Sequence, residues 1–131
     1  MGYTRYWSRT NKPITEEFVE EVNEILKDCA RKGIAIRDGH GIDKAIVNTD
    51  LICFNGTRKE GLNHESFVLD NNESDFEFCK TARKPYDYAV RKVLRLAKKY
   101  GLVEKVSSDG SNEKVYSDEE YILGLVYLGE W

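Results

Sequence analysis

Residues 85–101 read PYDYAVRKVLRLAKKYG, and their reading decides the fold class. Ala89, Val90, Val93, Leu94, Ala97 and Tyr100 recur at the three- and four-residue spacing that places side chains on one face of an α-helix. Pro85 suits the first helical position, where a missing N–H costs nothing, and Gly101 suits the stop. Arg91, Lys92, Arg95, Lys98 and Lys99 fall largely on the opposite face, the last of them beside the negative end of the helix dipole. A helix with a single apolar stripe must bury it against another layer, so the rest of the chain has to supply that layer.

Upstream, Gly2 to Trp7 (GYTRYW) is rich in aromatic and β-branched residues and reads as a short strand. Thr15 is a good N-cap, Glu16 and Glu17 favour a first turn, and Phe18, Val22, Ile25, Leu26 and Cys29 keep helical spacing until Gly33. Ile34 to Arg37 suits a second strand, and DGHGID (38–43) a loop. Ala45 to Val47 and Leu51 to Phe54 pair as a hairpin about Asn48, Thr49 and Asp50, and Ser66 to Leu69 adds a further run. DNNESDFE (70–77) reads as acidic and irregular. Downstream, VEKV (103–106) is a strand, SSDGSNE a turn, and Ser117 with Glu120 a capping box for a last helix over about 118–128. The expected order is β-α-β-β-β-α-β-α in one α+β domain over 1–131, with a mainly antiparallel sheet and about three helices.

The bulk numbers fit that reading. A chain of 131 residues, 40% hydrophobic and 33% charged, is large enough for one core and too short for two. Twenty basic against 23 acidic residues, net −3, argue against non-specific duplex DNA binding, so any attraction for phosphate is local. No apolar run reaches bilayer or signal-peptide length, so a soluble protein is expected. Three cysteines without a C-x-x-C pair suggest reduced thiols in a cytoplasmic setting.

The lead-in to the long helix, FCKTARK (78–84), crowds Lys80, Arg83 and Lys84 against the positive end of the helix dipole, at a cost of roughly 0.3 to 1 kcal/mol each. With the hydroxyl of Thr81 and free backbone N–H groups they would form a site for a phosphate or carboxylate. The competing account is neutralisation in solvent by Glu73, Asp75, Glu77 and Asp87. Tyr3, Tyr6 and Trp7, near Arg5, offer rings for stacking a base or for filling a core. Ser108 and Asp109 in SSDG suit sugar hydroxyls, or simply a turn. Cys79 lies among cations that lower a thiol pKa but lacks a visible base. His40 with Asp38 and Asp43, and His64 with Glu65 and Asp70, match no metal spacing; no cofactor is expected.

GYTRYW, FNG (54–56), FCKTARKPYD (78–87) and VSSDG (106–110) together resemble a family of small uncharacterised proteins of bacteria and their phages, over nearly the whole chain. Arg5 stands where that family would carry histidine. The resemblance implies a cluster of polar residues drawn from separate loops, and hence ligand binding. By analogy with phage proteins that block host defences, the ligand would be a nucleotide-derived or other anionic small molecule held intact by Tyr3, Tyr6, Trp7, Lys80, Thr81, Arg83, Lys84, Ser108 and Asp109. The alternatives are a nucleotide phosphodiesterase or hydrolase using Cys79 or Asp109 with a histidine base, and an interaction module that inhibits a host protein through the basic helix face.

Overall fold

The structure, a computed structural model, describes residues 2–109. In chain order the elements are β1 (Thr4–Arg9), α1 (Glu16–Arg31), β2 (Ile36–Arg37), β3 (Ile46–Val47), β4 (Leu51–Gly56), β5 (Phe67–Asp70), β6 (Ser74–Lys80), α2 (Asp87–Lys99) and β7 (Val103–Ser108). The described residues thus form an α+β unit with two α-helices and antiparallel strands. The expected last helix over 118–128 lies outside the described residues.

Both helices follow from local chemistry. Thr15 Oγ1 accepts the Phe18 N–H at 3.2 Å and so caps α1, whose Phe18, Val22 and Cys29 are buried. In α2 the expected stripe is inward: Ala89, Val90, Val93, Leu94 and Ala97 are all buried, and Tyr100 packs edge-on against Phe18 with ring centroids 5.4 Å apart. Pro85 sits in the turn ahead of α2 and not on its first turn.

The strands form two sheets. In the first, β1 lies between β6 and β7, antiparallel to both. In the second, β4 pairs antiparallel with β2, β3 and β5. The expected order is corrected here: five strands, not three, separate the helices. Four of them fall on runs that the sequence offers (34–37, 45–47, 51–54 and 66–69), one more than the expected order counted, and the fifth is β6, which begins at Ser74 inside the stretch read as irregular. Its sequence SDFEFCK does alternate, but with acidic residues interspersed, and its ladder partners come from β1 at the far end of the sequence.

One hydrophobic cluster joins the sheets and helices. Trp7 of β1 packs on Phe67 of β5 (5.3 Å between centroids), and Phe67 on Phe54 of β4 (5.0 Å). The buried Arg9 guanidinium ties the sheets together through the Asp70, Thr10 and Leu102 carbonyls and the Asn71 side chain.

Candidate functional site at one end of the three-stranded sheet

Three of the motifs singled out in the sequence meet in space. Thr4 pairs with Lys80, and Arg5 pairs with Cys79 on one side and Ser108 on the other. Beyond the ladder, Asp109 donates its backbone N–H to the Thr4 carbonyl and accepts the Thr4 N–H on its carboxylate, both at 3.0 Å. Thr81 and Ala82 donate their N–H groups to the Tyr3 carbonyl. GYTRYW, FCKTARKPYD and VSSDG therefore converge where β1 begins and β6 and β7 end.

At the centre lies an ion pair that the sequence does not announce. The Arg5 guanidinium grips Asp87 in the first turn of α2, Nε to Oδ1 at 2.8 Å and Nη2 to Oδ2 at 2.9 Å, with the aspartate wholly buried. Thr81 Oγ1 donates to the same Asp87 Oδ1 at 2.7 Å. Asp87 is thus taken up by Arg5 of β1 and by Thr81 of the lead-in. The N–H groups of Asp87, Tyr88 and Ala89 are already given to the carbonyls of Lys84, Pro85 and Tyr86. The helix start offers a ligand few donors; an anion there would be held by side chains.

The lead-in is a strained turn. Ala82 and Arg83 both take left-handed φ, 52° and 55°, which carry a cost of roughly 1 kcal/mol or more for residues with a Cβ. Thr81 holds the turn in place: its carbonyl accepts the Lys84 N–H at 3.0 Å and its Oγ1 the Arg83 N–H at 3.3 Å. This bend lays the Arg83 guanidinium 4.0 Å from the centre of the Tyr3 ring. Lys84 Nζ reaches the Gly61 carbonyl at 2.9 Å, and Lys80 stands exposed.

The rings separate by strand parity. Tyr3 and Trp7, 3% and 2% exposed, belong to the core side and present no stacking face to solvent. Tyr6 points to the opposite face, where its hydroxyl donates to Asp109 Oδ1 at 2.6 Å; that bond, helped by desolvation, raises the phenol above its usual range. Beside it lie two rings not singled out in the sequence, Phe76 and Phe78, 60% and 46% exposed. Phe78 is the ladder partner of Tyr6, and Phe76 lies 5.8 Å from both the Tyr6 and Phe78 rings. Lys80 continues this row, with Nζ 5.9 Å from the Phe78 ring. The alternation F-x-F-x-K was the available signal, hidden by the acidic run that precedes it and by Glu77 within it.

Ser108 is half-buried and Asp109 exposed at the same sheet end. Cys79 is fully buried with Sγ against the Glu65 carbonyl, and burial pushes its thiol far above the ordinary range, the opposite of an activated nucleophile. Among the described residues no group of three or more His, Cys, Asp or Glu side chains could hold a metal ion, and no helix is long and apolar enough to cross a membrane. Compared with known proteins, the chain matches no family model, no curated protein and no solved structure.

Proposed function

We propose that this protein binds a nucleotide-like or other phosphate-bearing small molecule at the end of the three-stranded sheet and releases it unchanged. The observation that carries this reading is the row on one sheet face of half-buried Tyr6, exposed Phe76 and Phe78, and exposed Lys80: flat rings ending in a cation. A base stacks on such rings whatever its edge pattern, and the ammonium meets the phosphate. Asp109, hydrogen-bonded to Tyr6, suits a sugar hydroxyl; Ser108, the ladder partner of Arg5, lies at the same sheet end on the other face. Tyr3, Trp7 and Thr81 serve the frame that positions these groups, and Arg83 and Lys84 border it. Sequestration of a host-defence signal is the role that the family resemblance adds to this chemistry.

Titration with ATP, ADP-ribose and cyclic di-AMP, followed by mass spectrometry of the recovered nucleotide, tests the reading. Binding should weaken by about fivefold to a hundredfold in Phe78→Ala, the range expected for a lost stacking ring, and further in Phe78→Ala with Lys80→Ala. The nucleotide should be recovered intact. Affinity indifferent to both changes would refute the site, and hydrolysis products would refute binding without catalysis.

A further inference from the structure

A second concave surface lies away from the aromatic row. The second half of α1 and the β2–β3 region enclose an open trough of about 660 Å³, inside the range of roughly 300 to 1,000 Å³ usual for small-molecule sites. Its floor is apolar, built from Leu26, Ile34, Ala35, Ala45 and Val47. Among the described residues that line it the charges are Lys27, Arg37 and Lys44, all positive, in a chain whose net charge is −3. Lys27 leans on Glu24 at 3.4 Å, but both side chains are about two-thirds exposed and such a pair is readily exchanged.

The trough continues into a smaller cleft of about 270 Å³ with which it shares Gly33, Ile34, Ala35 and Arg37. Gly33 holds φ +81° with no atom within 4 Å of where a Cβ would stand, so the join is open. Arg37 is common to both, and Lys59 and Glu60 mark the smaller end. An apolar floor under a cationic rim is complementary to one kind of molecule: a flat or aliphatic body bearing a sulfonate, carboxylate or phosphate.

We infer that this trough is a binding site for an amphipathic organic anion, with the apolar body over Ala35, Ala45 and Val47 and the anionic group on Arg37 and Lys44. The site is separate from the aromatic row and does not rest on the nucleotide reading.

The probe is 8-anilinonaphthalene-1-sulfonate, followed by its fluorescence and by amide chemical shifts, with thermal melting of each variant as the folding check. One equivalent should bind and shift the amides of Ile34, Ala35, Ala45 and Val47. Arg37→Glu and Lys44→Glu, both at exposed positions, should each weaken binding by about tenfold, the loss of one charged contact, without moving the melting temperature. The Phe76→Ser, Phe78→Ser double variant should bind as the native protein does. The inference is overturned if Arg37→Glu with Lys44→Glu leaves affinity unchanged, if the phenylalanine variant abolishes binding, or if the uncharged analogue N-phenyl-1-naphthylamine binds as tightly.

Discussion

Asp87 and Arg5 are 82 positions apart in sequence and form a buried, two-pronged ion pair. Removing one partner strands the other charge in the core, whereas removing both leaves none stranded. Asp87→Ala should therefore lower unfolding free energy by about 3 to 5 kcal/mol in urea titrations, and Asp87→Leu with Arg5→Met by clearly less. A loss under about 1 kcal/mol for the single change would contradict this account. The buried thiols set a second residue-scale expectation. Burial pushes Cys29 up to about 12 and Cys79 and the Tyr86 phenol higher still. A group whose folded pKa is raised contributes stability that is complete below its unfolded pKa, about 8.5 for a thiol, and is lost as pH rises toward the folded value. The denaturation midpoint should accordingly fall from pH 7 to pH 10, and half-buried Cys53 should react with a disulfide reagent ahead of Cys29 and Cys79. Equal midpoints, or equal reactivity of all thiols, would count against it.

At the scale of elements, β4 carries the tightest constraint. A Cβ on Gly56 would stand 2.0 Å from the Leu62 carbonyl oxygen, a backbone atom that cannot swing away. Next to it the Asn55 side chain accepts the Gly56 and His64 N–H groups and donates to the His64 carbonyl, pinning the same loop. Gly56→Ala should cost about 3 kcal/mol or more, at or beyond the upper end for overpacking, while Gly2→Ala, with open space around it, should stay within about 0.5 kcal/mol. Differential scanning calorimetry on the pair reads this directly, and similar melting temperatures would rule out the close approach. That the glycine of FNG makes room for another segment's carbonyl was not legible in the sequence, because the segment arrives only on folding.

Across the whole molecule, the two sheets share one core through Trp7, Phe67 and Phe54, and Arg9 bonds to chain from both. Both helices and both sheets contribute to that one core. Unfolding in urea should therefore be one cooperative transition, with far-ultraviolet circular dichroism and aromatic fluorescence giving the same midpoint. Separated midpoints would mean that the sheets unfold independently.

The sequence by itself determined both helices, their buried stripes and the Thr15 cap, because a 3.6-residue period and a capping side chain act over a single turn. It also determined which polar residues crowd FCKTARKPYD and SSDG. Only the tertiary structure decided what they do. Tyr3, Arg5 and Trp7 alternate with Tyr6 in the sequence, yet Arg83 over Tyr3, Asp87 on Arg5 and Phe67 against Trp7 made the first three a buried frame and left Tyr6 beside Phe76 and Phe78 on the other face. The fold also brought Asp87 to Arg5, so an aspartate that the sequence sets beside the lead-in cations is taken up by a cation of β1. Strand alternation fixes which residues share a face, but the identity of the buried face depends on a partner distant in sequence.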